Sequence, residues 1–459
     1  MKQKFLLSAL SFLFSIGIIS AQFIVNDITF SPNSVSNEGK ISGYQAQAGP
    51  YSIWLPDSGN VIIDIGGIAP GLGVGGQARF STNGNYICGT SQGTNGPEMS
   101  KYDRTTNHWS TVGSLGFSVG GNVSGGFAIA GDGNTVAGLA WADTTGGYAY
   151  AHAVASSVAE GLMDLGSLYD SIQRSTRANA VSYDGNVILG WQDFNGPWKS
   201  AVWRKNAAGG YFPNQYILID TTANPYDEFN QMGECSAVSA NGEWIAGYGD
   251  YANNNQPWIW SRDSGVINLG ALPNMGNGYV SSMSADASLV VGWFDGLFFG
   301  DPLTPFIWTR ASGLQELNGY INNVLGDSTD THQVYTADCI SPDGHYIAGY
   351  GVDTSTFNYF VYRVSLPGAV SIHDVKGYDK LKIYPNPTGS ILTIEITNKA
   401  LITISSMDGK VVYKTVTNET LVLDISGYAA GVYSVSLQTT NSQQTQKIIK
   451  KLTTPTPPK

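Results

Sequence analysis

Charged side chains are scarce in this sequence of 459 residues, at 13%, whereas typical soluble domains contain about 25%. Glycine is instead abundant, with 56 residues. A chain with few charged residues cannot cover the solvent-facing sides of many helices, and disordered chains are typically rich in charge. Together with the many glycines, this predicts a folded protein rich in turns. The 42% of hydrophobic residues is sufficient for a large core.

Cysteine is nearly absent, and Cys88, Cys235 and Cys339 lie far apart without a CxxC spacing. An odd, scattered set does not make a disulfide framework or a thiolate metal site, so we expect free buried thiols. The five histidines show no ligand spacing, and the motifs of nucleotide binding, zinc proteolysis, serine hydrolysis and EF-hand calcium binding are missing. The sequence therefore predicts no metal and no other cofactor.

Long hydrophobic runs are missing after residue 21. Residues 1–21 combine Lys2 and Lys4 with an apolar run over 5–19 and end in a small residue, Ala21. A run of about 15 residues is too short for a membrane helix, which needs about 20, and is typical of a secretory signal peptide. We therefore expect cleavage after Ala21 and a secreted protein without a transmembrane segment.

The few charges are unevenly divided along the chain. Residues 22–379 contain 13 Lys and Arg against 31 Asp and Glu, whereas residues 380–459 contain 9 against 4. Opposite charge balances indicate two modules. The acidic main body disfavours nucleic acid as a partner, because binding to phosphates depends on Lys and Arg.

One phrase recurs seven times, at intervals of 45 to 57 residues. It reads Ser, any residue, Asp or Asn, Gly, two residues, a β-branched residue, one residue and Gly. Asp-Gly or Asn-Gly between apolar residues predicts a β-hairpin with a type I′ turn, and Asp286-Ala287 predicts a strained or altered turn. The six full-length copies are STNGNYICG (81–89), AGDGNTVAG (130–138), SYDGNVILG (182–190), SANGEWIAG (239–247), SADASLVVG (284–292) and SPDGHYIAG (341–349), and a shortened version is SNEGKISG (36–43).

Two further strands follow each hairpin, as in PWIW at 257–260 and GVINLG at 265–270. A sheet of four short strands cannot bury both faces alone, so such repeats are typical of propeller blades. The sequence predicts an all-β fold with a seven-bladed β-propeller over residues 22–366, and six blades with an irregular N-terminal hairpin is the alternative. The last blade needs an outer strand from residues 23–28 or 369–375.

The wording of the repeat, as in SADASLVVGW at 284–293 followed by PFIWT at 305–309, resembles the HAF repeat of bacterial extracellular proteins. The resemblance covers most of the predicted propeller. It implies an extracellular, propeller-like domain and supplies no catalytic residues.

The sequence changes character after a predicted linker at 367–379. Residues 380–459 combine YPNPT, a turn at 408–410, the phrase AGVY and a basic KIIKK with alternating apolar residues, which predict six or seven strands of a small Ig-like sandwich. Together these motifs resemble the type A sorting domain of the type IX secretion system of Bacteroidetes, although the tail LTTPTPPK (452–459) departs from the usual basic end. The resemblance implies export by the type IX machinery and surface attachment. It assigns the sorting motif to Tyr384, Pro385, Asn386, Pro387, Gly431, Val432 and Tyr433.

Candidate ligand residues follow the repeat. Asp193, Asp250 and Asp295 each stand three residues after a closing glycine, so they would face one side of a propeller. Such carboxylates suit a sugar ligand or the catalytic pair of a glycosidase, and strand-end caps in solvent are the alternative. Aromatic residues in the long insertions complete the predicted site. They are Trp198, Phe294, Phe298 and Phe299.

The leading hypothesis is a secreted binding or adhesion protein of the cell surface, without catalysis, whose propeller loops bind a glycan or a surface protein. One alternative is an extracellular glycan hydrolase or lyase that uses Asp193, Asp250 and Asp295. The other is a purely structural surface component.

Overall fold

The computed structural model describes residues 22–451 apart from 72–74, 145–147, 169–173, 194–197, 213–214, 219–230, 250–255, 327, 367–381, 397–398, 407–409 and 439–442. The predicted signal peptide, the predicted linker and the tail at 452–459 therefore lie outside the described residues. The chain divides into two compact units, Met1–Ser371 and Ile372–Lys459. In the part of the chain that is described, no helix has the length and hydrophobicity to cross a membrane.

Seven antiparallel sheets form the described part of the first unit. Each sheet is one blade, and in blades 1 to 6 neighbouring strands follow one another in the chain. Short helical turns occupy Pro56–Ser58, Leu317–Tyr320 and Ile321–Leu325. The strands are β1 (Gln22–Asn26); in blade 1, β2 (Ser31–Val35), β3 (Ile41–Tyr44), β4 (Tyr51–Leu55) and β5 (Val61–Gly66); in blade 2, β6 (Arg79–Phe80), β7 (Tyr86–Gly93), β8 (Gly96–Asp103) and β9 (His108–Gly113); in blade 3, β10 (Ser124–Ile129), β11 (Thr135–Asp143), β12 (Tyr150–Ser157) and β13 (Gly161–Gly166); in blade 4, β14 (Thr176–Val181), β15 (Val187–Gln192), β16 (Lys199–Arg204) and β17 (Gln215–Tyr216); in blade 5, β18 (Cys235–Val238), β19 (Trp244–Tyr248), β20 (Pro257–Ser261) and β21 (Gly265–Asn268); in blade 6, β22 (Gly278–Met283), β23 (Leu289–Phe294), β24 (Thr304–Thr309) and β25 (Gly313–Glu316); and in blade 7, β26 (His332–Val334), β27 (Cys339–Ile340), β28 (Tyr346–Asp353) and β29 (Tyr359–Ser365).

The seven blades close into a ring. Each blade contacts the next, and β2 of blade 1 contacts β27 and β28 of blade 7. Strand β1 pairs antiparallel with β29 and so supplies the outer strand of the last blade. The Arg363 guanidinium, almost fully buried, forms two bonds of 2.6 and 2.7 Å with the Asp57 carboxylate across the closing junction. The expected all-β propeller and its closure by the N-terminal segment are confirmed.

The repeated phrase forms the turn between the first and second strands of a blade. In blade 2, the Gly84 N–H donates to the Ser81 carbonyl (2.9 Å), and the Ser81 hydroxyl donates to Asn83 Oδ1 (2.7 Å) and accepts from the Tyr86 N–H (3.1 Å). Only the glycine has a left-handed φ, +71°. The predicted type I′ turn is therefore wrong, because Asn83 accepts the Asn85 N–H (3.1 Å) in a longer loop that needs one left-handed residue rather than two.

Blade 6 carries alanine at this left-handed position. Ala287 has a φ of +57°, and its N–H still donates to the Ser284 carbonyl at 2.9 Å. The turn keeps its hydrogen bonds, so the cost falls on the backbone, where a Cβ crowds the carbonyl. The expected strain at Asp286-Ala287 is confirmed.

The closing glycine of each repeat lies on the second strand, opposite the first. In blade 4 the first strand bulges at Asn179, between the pairs Ala178–Gly190 and Ala180–Leu189. A Cβ at Gly190 would overlap the carbonyl oxygen of Arg177, so this position requires glycine. The same register shift occurs in blades 1, 3, 5 and 6. The bulged residues are Asn33, Phe127, Asn179, Ser236 and Ser281.

The second unit contains two antiparallel sheets among its described residues. Alternate side chains of the strands, including Leu392, Ile394, Ile402 and Ile404, are fully buried in one core. The apolar residues that alternate in the sequence therefore lie on the inward faces of the sheets. The predicted small sandwich is confirmed. The strands are β30 (Ile383–Tyr384), β31 (Ile391–Ile394), β32 (Ala400–Ser406), β33 (Val411–Thr417), β34 (Leu421–Asp424), β35 (Gly431–Gln438) and β36 (Gln443–Lys450).

Candidate functional site

A cavity of about 250 Å³ opens where the first strands of the blades begin, and all five bulged residues line it. A second cavity of about 140 Å³ extends along the same strands toward the turns and is lined by residues of all seven blades. The bulges thus direct side chains toward the central axis. We call the first cavity the channel mouth, defined by Asn33, Arg79, Phe127, Arg177, Asn179, Glu234, Ser236, Tyr248, Tyr279, Ser281, Trp293 and Asp338.

One ion pair at the channel mouth is fully satisfied. The Glu234 carboxylate, 7% exposed, accepts bonds from Arg177 Nη2 (3.2 Å), Asn179 Nδ2 (2.6 Å) and the Tyr248 hydroxyl (2.8 Å). Arg177 also lies 4.8 Å from the centre of the Phe127 ring. Burial lowers the pKa of Arg177, an effect that Glu234 opposes, and burial beside Glu234 raises the pKa of Tyr248. Blades 4 and 5 are therefore joined by a network in which the carboxylate charge is compensated.

Arg79 is a second cation with different partners. Its Nε and Nη2 donate to Gln77 Oε1 at 3.0 and 2.7 Å. Its Nη1 donates to the carbonyl of Asn179 at 3.1 Å and so links blade 2 to blade 4. Burial lowers the pKa of Arg79, and the positive charge of nearby Arg177 lowers it further. The guanidinium is therefore held by neutral oxygens.

Asp338 contributes a carboxyl group from blade 7, at the position of the bulged residues. It accepts a 2.9 Å bond from the Thr336 hydroxyl. Burial raises the pKa of Asp338 to about 7, because the ionised form loses solvation and the Thr336 bond offsets this only partly. Asp338 thus changes charge near neutral pH. In the described part of the chain, His, Cys, Asp and Glu form no group of three or more able to hold a metal ion.

Aromatic rings form one wall of the channel mouth. Tyr279 lies 4.9 Å from Tyr248 and 4.4 Å from Trp293, measured between ring centres. The Tyr279 hydroxyl donates to Asp295 Oδ2 at 3.3 Å. Blades 5 and 6 therefore present a continuous ring surface beside the charged groups.

The structure places two of the three acidic residues predicted from the sequence at strand ends of different blades. Asp295 binds Asn277 and Tyr279 at the edge of blade 6, and Asp193 lies at the equivalent strand end in blade 4. Neither of them lines the channel mouth, whose carboxylates are Glu234 and Asp338. Asp250 lies outside the described residues.

The predicted aromatic residues also fall into different environments. Phe294 is fully buried and packs 5.4 Å from Phe306 in the blade core, so it offers no surface to a ligand. Phe298 and Phe299 are 76% and 109% exposed at the tip of the loop that follows β23. Trp198 is 45% exposed and stacks on Trp191, which directly follows the closing glycine of the repeat. The two ring centres are 4.3 Å apart and the ring planes differ by 8°.

The sequence predictions missed Arg79, Arg177, Glu234 and Asp338. A signal for the channel mouth was nevertheless present, because each bulged residue stands three positions before the start of a repeat copy. In blade 7 this position is Asp338, and in blade 5 it is Ser236. The usual alternation of side chains in a strand does not reveal this position, because a bulge changes the face of the sheet on which a side chain lies.

The sorting motif is assembled from two distant segments. Asn386 Oδ1 accepts the Ile449 N–H at 2.9 Å, and the Thr388 N–H donates to the Ile449 carbonyl at 2.9 Å. This brings the exposed Tyr384 and the adjoining Pro385 and Pro387 beside the basic end of the domain. In the AGVY phrase, Gly431 opens β35, Val432 is 39% exposed, and Tyr433 is buried with its hydroxyl donating to the Ala429 carbonyl (2.9 Å).

Residues 382–451 match the family of secretion system C-terminal sorting domains. This is the type IX sorting domain. The protein is accordingly secreted, either attached to the cell surface or released, and is handled by the type IX secretion machinery.

Solved structures resemble the chain only weakly. Oligogalacturonate lyase from Vibrio parahaemolyticus is 12% identical over 75% of this chain and 91% of its own, with a TM-score of 0.46. Streptogramin B lyase is 12% identical over 76% and 100%, with a TM-score of 0.43. TolB from Acinetobacter baumannii is 14% identical over 64% and 61%, with a TM-score of 0.38. Likeness at this level carries no functional argument, and no curated protein matches the sequence.

Proposed function

We propose that this secreted protein binds a glycan or a surface protein through the loops between the second and third strands of its blades, which we call the loop face. The loop of blade 6 carries this proposal. Three of its apolar side chains, Leu297, Phe298 and Phe299, are 58%, 76% and 109% exposed. Phenyl rings in water contribute nothing to the core, and such patches typically mark interaction sites.

The backbone of this loop is held in a defined shape. The Phe298 N–H donates to Asp301 Oδ2 at 2.9 Å, and the Asp301 N–H donates to the Phe298 carbonyl at 3.1 Å. The rings are thus displayed by a closed turn. Because the loop is already ordered, it loses little conformational entropy when a ligand covers the rings, and this favours binding.

A second aromatic element supports the same face. Trp198 stacks on the buried Trp191, near the strand end that carries Asp193, and leaves part of its surface in solvent. A flat, partly exposed indole suits a sugar ring, since the apolar face of the sugar can stack on it.

The proposal includes adhesion at the cell surface, membership of the HAF-repeat proteins, a bacterium of the Bacteroidetes as the source and a cleaved signal peptide. The hydrolase or lyase alternative, which would use Asp193, Asp250 and Asp295, is the second candidate, and a glycosidase needs two carboxyl groups about 5 to 9.5 Å apart. Asp193 and Asp295 belong to different blades outside the channel mouth, which favours binding over hydrolysis.

The test is retention of the full mature chain on arrays of glycans and of extracellular surface proteins. We expect the double variant F298A/F299A to lower retention at least tenfold. Phe212, 44% exposed and placed after the third strand of blade 4, provides the matched control F212A, which should retain binding. Equal retention by F298A/F299A and the unaltered chain would reject the loop face as the binding surface.

A further inference from the structure

Arg79 is the cation of the channel mouth that has no carboxylate within hydrogen-bond distance among the described residues, although Asp338, whose pKa is raised by burial, lines the same cavity. Glu234 is occupied by Arg177, Asn179 and Tyr248. Among the described residues, no carboxylate forms an ion pair with Arg79, whose partners are the amide oxygen of Gln77 and the carbonyl of Asn179. A cation withdrawn from water favours an anionic partner, because neutral acceptors do not balance its charge.

The surroundings of Arg79 define the shape of that partner. The cavity of about 250 Å³ is close to the lower end of small-molecule sites, which begin at about 300 Å³. One side offers the rings of Tyr248, Tyr279 and Trp293. Three of the bulged residues offer hydroxyl and amide groups instead. These are Asn33, Ser236 and Ser281.

The geometry points to a binding site for a small sugar acid at the channel mouth, with Arg79 binding the carboxylate, the aromatic wall contacting the ring, and Asn33, Ser236 and Ser281 binding the hydroxyl groups. An Arg guanidinium matches a carboxylate in a planar, charge-assisted pair, which a neutral sugar lacks. Arg177 adds positive potential but is already paired, so Arg79 is the specificity residue. This site goes beyond the loop-face proposal and does not depend on it.

Calorimetric titration of the full mature chain with sodium D-glucuronate tests the site, with D-glucose as the neutral ring and acetate as the ringless carboxylate. We expect glucuronate to bind at least tenfold more tightly than either control. R79Q should weaken glucuronate binding about 10- to 100-fold, as expected for loss of a hydrogen-bonded charge. The matched control R310Q, which removes an exposed arginine on a turn of blade 6, should leave binding unchanged.

A purely structural Arg79 gives a different result. In that case R79Q lowers the melting temperature and leaves any glucuronate affinity unaltered, which overturns the proposal. A ligand-binding Arg79 instead requires that R79Q weaken glucuronate binding, whatever the variant does to the melting temperature of the free protein. Absence of glucuronate binding, or equal binding of D-glucose, also overturns it. Because F298A/F299A should still bind glucuronate, failure of the loop face and failure of this site are distinguishable.

Discussion

The two ends of the first strands differ in how closely the repeat dictates them. At the turn end, blades 2, 4, 5, 6 and 7 each have a serine whose hydroxyl donates to the side-chain oxygen of an Asp or Asn two residues later. At the channel mouth the bulge recurs, but its side chains range from Phe127 to Asn179 and Ser281. The repeat therefore maintains the backbone conformation at both ends of the first strands, whereas the side chains vary at the bulge. These variable side chains line the cavity of the channel mouth.

The largest effect is expected at the backbone of the mouth end. G190A places a methyl group against the Arg177 carbonyl, so the bulge must shift, and we expect a loss of about 2–3 kcal/mol in the free energy of unfolding. The matched control is G59A, at a left-handed glycine with open space, which should cost about 1 kcal/mol. Urea unfolding followed by tryptophan fluorescence gives both values. Equal effects would mean that the bulge does not require glycine.

The second prediction concerns charge at the mouth end. The pKa of Asp338 is about 7 in the folded chain and near 3.8 unfolded, so the folded state binds more protons between these values. Stability of the unaltered protein thus falls as pH rises from 4 to 7 and stays reduced above pH 7. Because Asn never ionises, D338N should gain stability relative to the unaltered protein across this range, as measured by melting temperature.

Asp353 provides a control of opposite sign. Hydrogen bonds from Ser355 lower the pKa of this exposed carboxyl to about 2, so its contribution is present above pH 4 and lost as pH falls toward 2. D353N should therefore slightly lower the melting temperature at pH 7 and have no effect at pH 2. A flat difference between D338N and the unaltered protein from pH 4 to 8 would contradict the burial of Asp338.

At the turn end, S239A tests the shared hydrogen bonds. The Ser239 hydroxyl donates to Asn241 Oδ1 (2.7 Å) and accepts the Trp244 N–H (2.9 Å), and the side chain is 1% exposed. We expect a loss of about 1–2 kcal/mol from the unsatisfied Trp244 N–H. Blade 3 already has alanine here, at Ala130, so folding should survive. No measurable change in unfolding free energy would show that the serine is dispensable in the turn.

The smallest effect is expected for A287G. Glycine relieves left-handed strain of about 1 kcal/mol, whereas removal of a fully buried methyl group costs about 0.8 kcal/mol. The two terms nearly cancel, so the unfolding free energy should change by less than about 0.5 kcal/mol. A gain above 1 kcal/mol would show that blade 6 stores more strain at this turn than the other blades.

The sequence predicted the blades because each repeat carries its own turn chemistry and alternating apolar residues. It failed on the turn type, since the hydrogen bonds of Asn83 favour a loop with one left-handed residue. It also assigned Phe294 to a ligand surface, although alternation along β23 places this ring in the core. Phe298 and Phe299 are exposed, in agreement with their place in a long insertion without a packing role, and their part in ligand binding stays a prediction.

The repeating strands, the glycine positions, the C-terminal sandwich and the route out of the cell can be read from the amino-acid order alone, because they depend on local propensity and on motifs contiguous in each segment. The channel mouth, in contrast, forms through tertiary contacts. Arg79 and Asn179 are 100 residues apart in the chain and meet because ring closure gathers the first strands around one axis. Bulges then turn side chains inward against the regular alternation, so the groups that share the cavity have no common pattern in sequence.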